Sequence, residues 1–236
     1  MQRPRFLERL LGGAPATAWP PELDRLKPLS MASVAVLRHL YALGSDLAER
    51  GIDGDIVECG VFNGGSAGAL ACGLRASPRH FWLYDSFAGM PPASAADGPD
   101  AAPYVGQGVG SAEKVREAMR VAGVAESALT VRPGWFADTF AQPLPERVAL
   151  LHIDCDWYES VALTLRIFYD RVNEGGIVIL DDFGHWDGAR EAFYDFVFER
   201  GLKPLIERFG HSQLFWIKGR THNRDRRGRT GVRLSP

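Results

Sequence analysis

No stretch of this sequence approaches the roughly 18 consecutive apolar residues that a membrane-spanning helix requires, so no contact with a membrane is expected. Cysteine is scarce. The three thiols, Cys59, Cys72 and Cys155, are odd in number and lack any Cys-x-x-Cys spacing, which argues against structural zinc and against a disulfide framework. There is no basic surplus either: 27 Lys and Arg face 29 Asp and Glu, for a formal net charge of -2. The tail Gly219–Pro236 holds six arginines and one aspartate, about +5, which leaves about -7 on the rest. An acidic body offers no electrostatic footprint for nucleic acid. In the opening segment, Met1–Ala16, Arg and Glu interrupt any apolar core, so it does not read as a secretory signal, and a cytoplasmic protein is expected.

What the sequence does have is acid at the ends of apolar runs. Val148–Ile153 leads into Asp154 and Asp156, and Ile177–Leu180 into Asp181 and Asp182. Short Val/Ile/Leu runs of this kind read as strands buried on both faces. Between them, Tyr158–Val172 has helical spacing, and Gly175-Gly176 is expected to stop it. A strand–helix–strand unit places the C-terminal ends of parallel strands on one sheet edge, and open α/β sheets bind ligands at that edge. Several carboxylates converging there repel one another unless a cation is present, so the pattern predicts a divalent metal site.

The remaining chain fits the same plan. Asp55–Cys59 reads as the first strand, and the glycine-rich Gly60-Val61-Phe62-Asn63-Gly64-Gly65-Ser66 turn leads into a small-residue helix, Ala67–Leu74. Such a turn lets a ligand reach backbone N–H groups at a helix N-terminus, although its spacing is not the dinucleotide Gly-x-Gly-x-x-Gly. His80–Asp85 is the second strand, and its terminal acid is placed to accept hydrogen bonds from ribose hydroxyls. Ser86–Gly110 is long, aperiodic and rich in Gly, Pro, Ala and Asp, the composition of a mobile lid. A helix over Ser111–Ala122, strands over Leu129–Arg132 and Arg147–Ile153, a helix over Gly188–Arg200 and a hairpin of Pro204–Phe209 with Gln213–Ile217 follow. Ahead of the sheet, Phe6–Leu11 reads as a short helix, Gly12–Pro21 as a linker, and Ser30–Ala48 as a helix capped by Ser30. These helices pad a sheet face, make a homo-oligomer contact, or close over the site. The tail from Gly219 reads as disordered. The alternation specifies one doubly wound α/β domain.

Five segments in this order resemble the macrocin O-methyltransferase family: Asp55–Ser66, Tyr84–Pro91, Gly134–Thr139, Ile153–Ser160 and Gly175–Phe183. The resemblance spans Leu29 to Lys218. It implies a class I methyltransferase fold: a Rossmann-like, mostly parallel seven-stranded sheet with an antiparallel last strand, over residues 29–218, with an N-terminal helical extension (1–28) and a basic tail (219–236). It also implies S-adenosyl-L-methionine and magnesium as cofactors and a small-molecule hydroxylated acceptor, typically an antibiotic deoxysugar. Carried over by position, Glu58, Gly60 and Ser66 line the methionine end of the cofactor, and Asp85 with Ser86 takes the ribose. Trp135 and Phe136 lie near the adenine, and Asp154 borders the cofactor as well as the metal. Asp154, Asp181 and Asp182 hold magnesium, and Asp156 is the base. The chain differs from the family at Cys155 and Trp157, where Gly and Leu are frequent, and at Phe183-Gly184-His185-Trp186, where Tyr-Gly is usual; the two tryptophans predict a flatter acceptor pocket.

Methyl transfer to an alcohol is an in-line displacement that needs alignment and deprotonation of the acceptor. Magnesium prefers oxygen ligands in octahedral geometry, which suits three aspartates. Asp156 is the first candidate base and His185 the second, because imidazoles as a class exchange protons near neutral pH. Three rival readings stand beside this one. Asp154-Cys155-Asp156 mimics a dehalogenase-type phosphatase motif, but no Lys occurs between Asp154 and Asp181. A nicotinamide dehydrogenase would leave the acidic cluster unexplained. A catalytically silent cofactor-binding protein on the same scaffold is separated from an enzyme only by assay.

Overall fold

The chain, seen in a computed structural model that describes residues 19–75 and 77–220, is built on a seven-stranded sheet. The strands are β1 (Asp55–Cys59), β2 (Phe81–Asp85), β3 (Leu129–Pro133), β4 (Val148–Ile153), β5 (Val172–Leu180), β6 (Glu207–Phe209) and β7 (Gln213–Ile217), in the order β3-β2-β1-β4-β5-β7-β6. The β1–β2, β2–β3, β1–β4 and β4–β5 pairs are parallel, and β7 runs antiparallel to both β5 and β6. Every residue of β4 is buried, as its continuous apolar run predicts for a central parallel strand. Strand order reverses at β1/β4. The crevice beyond their C-terminal ends is therefore the topological switch point, where such sheets take ligands.

Helices cover both faces. α1 (Glu22–Leu26), α2 (Val34–Arg50), α3 (Gly65–Gly73) and α4 (Ala112–Val121) pack on one side, where Leu26, Leu40, Leu47, Leu70 and Met119 join Ile56 and Ile177 in one core. The short α5 (Phe136–Thr139) follows β3, and α6 (Tyr158–Phe168) and α7 (Asp187–Glu199) cover the other face with an aromatic core that includes Phe168, Phe193 and Trp216. No helix among the described residues is long and apolar enough to cross a membrane.

Several local expectations change. The helix after the linker starts at Val34 and is capped by Ser33, whose hydroxyl accepts from Val36 N, while Ser30 instead holds Ala32 N in a turn. Gly175-Gly176 does not terminate a helix. α6 ends at Phe168, and β5 already runs through both glycines because β7 extends the ladder there: Lys218 N donates to Gly176 O at 2.9 Å and Gly175 N to Lys218 O at 3.0 Å. Pairing with a neighbouring strand overrides local glycine propensity. The segment after β2 is not featureless. It holds two 3-10 turns, Ala95–Asp97 and Pro99–Tyr104, and buries Asp97 and Ala101. The expected helix Phe6–Leu11, the linker up to residue 18 and the tail from residue 221 lie outside the described residues.

Candidate active site

The ends of β1, β2, β4 and β5 open into a cavity of about 700 Å³. Its floor is acidic. Asp154 and Asp156 follow β4, Asp181 and Asp182 follow β5, and all four line it. Asp154, Asp181 and Asp182 bring one carboxylate oxygen each within 4.8 Å of one another. Burial, and next the neighbouring carboxylate charges of Asp181 on one and Asp156 on the other, drive Asp154 and Asp182 well above the usual carboxylate range. Asp181 goes the other way. Burial would raise it, but His152 and a hydrogen bond from Gln213 more than offset that and hold it low.

Gly60 ends the approach from β1. Its φ of +88° suits glycine, and a Cβ would overlap the Asp154 carbonyl oxygen, so β1 and β4 close together only because no side chain is present. Glu58 does not reach the cavity. It is fully buried, lies in register with His152 on β4, and accepts a short hydrogen bond from Ser66, which does line the cavity. The reason is strand alternation: Glu58 projects from the sheet face, beneath the crevice rather than into it. Its second oxygen is buried with no protein partner.

Asp85 lines the cavity, but its carboxylate is already engaged. Phe62 N and Phe87 N each donate to it at 2.7 Å. Both phenylalanines have positive φ, 52° and 55°, a conformation disfavoured for bulky residues, so Asp85 pins two strained turns of the wall. Burial raises its pKa against the lowering pull of those N–H groups. Ser86 turns the following loop, its hydroxyl accepting from Ala88 N at 3.1 Å and donating to Gly89 O at 3.2 Å. Trp135 and Phe136, just after β3, also line the cavity; Trp135 is 44% exposed, and Phe136 stacks on Phe140 with ring centroids 4.9 Å apart.

Asp156 adopts φ +57° and accepts a hydrogen bond from Trp186 Nε1 at 2.9 Å. Burial raises its pKa, while hydrogen bonds with Asp182 and Trp186 pull the other way. His185 is exposed on the rim, edge-on to Trp186 at 4.5 Å. The two tryptophans line the cavity but are largely buried. Trp157 and Trp186 are 1% and 7% exposed, pack edge to face at 4.9 Å, and commit their N–H groups to Pro91 O and Asp156.

Four contributors escape the sequence reading. His152 is fully buried, with Nδ1 3.4 Å from Glu58 and Nε2 3.7 Å from Asp181. Gln213 on β7 donates from Nε2 to Asp181 Oδ1 at 2.6 Å and meets His39 of α2 through its own oxygen. Asp97 accepts from Ser94 N, Ser94 Oγ and Tyr158 N at 2.6, 2.8 and 2.6 Å, tying the segment after β2 to the start of α6. For His39, His152 and Gln213, a polar residue inside an otherwise apolar strand or helix face was the available signal.

The macrocin O-methyltransferase (TylF) family matches residues 16–218. The chain belongs to that family. It is 33% identical over 184 residues to the 8-demethyl-8-(2,3-dimethoxy-alpha-L-rhamnosyl)-tetracenomycin-C 4'-O-methyltransferase of Streptomyces olivaceus, covering 75% of this chain and 70% of that one. It is 32% identical over 205 residues to the demethyldecarbamoylnovobiocin O-methyltransferase of Streptomyces niveus, covering 81% and 76%. Among solved structures, the O-methyltransferase NovP superposes with a TM-score of 0.72 at 27% identity, over 81% of this chain and 83% of that one. This macrocin-family protein is an S-adenosylmethionine-dependent O-methyltransferase.

Proposed function

We propose that this methyltransferase is magnesium-dependent and methylates a hydroxyl on the sugar of a glycosylated natural product. The observation that carries the metal reading is the approach of Asp154, Asp181 and Asp182 at the floor of the cavity. The donor set fits: three hard oxygen ligands match magnesium's preference, and burial with mutual repulsion leaves two of them with raised pKa values that a divalent cation would offset. Asp154, Asp181 and Asp182 would hold the ion, which would supply Lewis acidity to acceptor oxygens. The sugar assignment rests on the S. olivaceus relative, whose name specifies a rhamnosyl-bearing acceptor.

The cofactor supplies an electrophilic methyl group; the chain supplies its placement. Ser66, oriented by Glu58, and the close approach at Gly60 border its amino-acid end. Asp85 keeps lone pairs beyond its two backbone donors for ribose hydroxyls, with Ser86 beside it, and Trp135 and Phe136 flank the base. Asp156 takes the proton from the acceptor hydroxyl. Its raised pKa makes it a stronger base than an exposed aspartate, and its left-handed backbone points to a residue held for function rather than for ease of folding. His185, exposed on the rim, is the second candidate. The test of the acidic floor is Asp181→Ala. Methyl transfer to a rhamnosylated acceptor should be lost while S-adenosylmethionine affinity, by calorimetry, stays within about threefold; retained turnover would refute the assignment.

A further inference from the structure

One oxygen of Asp181 is committed to the protein. Gln213 Nε2 donates to Oδ1 at 2.6 Å, and His152 Nε2 stands 3.7 Å from the same atom. The amide of Gln213 can face only one way, because its oxygen turned toward the carboxylate would repel it. With the NH2 group on Asp181, the amide oxygen meets His39 Nδ1, so that ring nitrogen carries the hydrogen. The direction of donation is thereby fixed along the whole path, from His39 through Gln213 to Asp181.

The path is buried and rigid. Gln213 and His39 are 0% and 1% exposed, and the His39 ring stacks on Phe209 with centroids 4.0 Å apart and planes within 12°. His39 Nε2 is buried without a partner. A buried imidazole that leaves one nitrogen unsatisfied costs stability, which is hard to reconcile with a filler role when an apolar residue would pack there. Burial holds its pKa down near 4, so the ring stays neutral and the donor direction does not change near neutral pH.

We propose that Gln213 and His39 are positioning residues for Asp181: a two-link strut from α2 across β7 that commits Oδ1 as an acceptor and leaves Oδ2 for the cation. This rests on the metal reading given above. It also gives α2 a role beyond covering the sheet, since a residue of that helix sets the orientation of a carboxylate at the floor of the site.

The test is Mg²⁺ titrated calorimetrically into the full chain, with S-adenosylmethionine affinity and melting temperature measured in parallel. Gln213→Met keeps the side-chain length and removes both hydrogen bonds. His39→Leu removes the far link, and His39→Asn returns a donor near the Nδ1 position. Partners that orient metal ligands are worth roughly 10- to 100-fold in metal affinity. The expected result is a loss of that size in Gln213→Met, a smaller loss in His39→Leu, partial recovery in His39→Asn, and cofactor affinity within about twofold throughout. If wild type binds Mg²⁺ and Gln213→Met binds it equally well, the strut is wrong and the metal site stands. An equal fall in metal affinity, cofactor affinity and melting temperature makes the role merely structural and overturns the strut as well. If wild type does not bind Mg²⁺ at all, the metal reading fails and takes the strut with it. Should Gln213→Met not fold, the His39 pair decides: equal affinities in His39→Leu and wild type overturn the proposal.

Discussion

At the scale of single residues, Asp156 and its partner Trp186 make the sharpest case. The indole N–H favours the charged carboxylate, against the burial that raises its pKa. Trp186→Phe removes that support, so the base should titrate higher, and the acidic limb of the pH–kcat profile should move to higher pH. Asp156→Asn should lower kcat by roughly 10²- to 10⁴-fold, the usual contribution of a general base, with metal binding preserved. A wild-type rate in Asp156→Asn would pass the role to His185 or to water. His39 gives a second test, of stability. Its pKa falls from an ordinary 6.5 to about 4 on folding, so the unfolded chain binds more protons between those values. Its stability contribution is therefore complete above pH 6.5 and is lost as pH falls through 4. At about 1.4 kcal/mol per unit the whole effect is about 3 kcal/mol. Urea melts of wild type and His39→Asn at pH 7 and pH 4.5 should show a steeper acid loss in wild type; parallel losses would contradict it. The acids at strand ends were legible because they close apolar runs. His39, His152 and Gln213 were not, because a single polar residue inside an apolar face carries no mark of which neighbour it meets across the sheet.

At the scale of elements, a buried side chain anchors the segment between β2 and α4. Asp97 accepts from Ser94 and from the first N–H of α6, and Gly188 at the start of α7 has room for no side chain because Asp97 lies against it. The segment's Pro91 carbonyl takes the Trp157 N–H at 2.9 Å, and its Tyr104 ring packs edge-on to Trp186 at 5.0 Å. Asp97→Ala should cost on the order of 3 kcal/mol, the scale of several charge-assisted hydrogen bonds lost with their donors buried. It should also raise KM for the acceptor more than for S-adenosylmethionine, since both tryptophans line the acidic side of the cavity. Urea melts and steady-state kinetics read both effects; unchanged stability would show that the segment is held some other way. The sequence located this segment but not its fold, because composition registers the lack of a helical period and is blind to a buried carboxylate that organises turns. The slip at Gly175-Gly176 has a similar origin: the strand there depends on β7, some forty residues later.

At the scale of the whole molecule, the doubly wound plan and the acids on one sheet edge were readable from the alternation of strands and helices, whereas the strand order and its reversal at β1/β4 come from the structure. That alternation leaves few arrangements for right-handed crossovers. The antiparallel hairpin was readable from the runs Pro204–Phe209 and Gln213–Ile217, and it matters beyond topology. β7 delivers Gln213 to the base of the acidic floor and β6 supplies Phe209 under His39. On the proposed function the two halves of the sheet serve different reactants: strands β1 to β3 would border the methyl donor, and β4, β5 and β7 would build the place where the acceptor is activated. The central claim is that methyl transfer depends on a cation held by Asp154, Asp181 and Asp182. The most direct measurement is the rate of transfer from S-adenosylmethionine to a rhamnosylated acceptor in excess chelator, followed by titration back with Mg²⁺. Activity should vanish and return with the ion; a full rate in chelator would contradict the account.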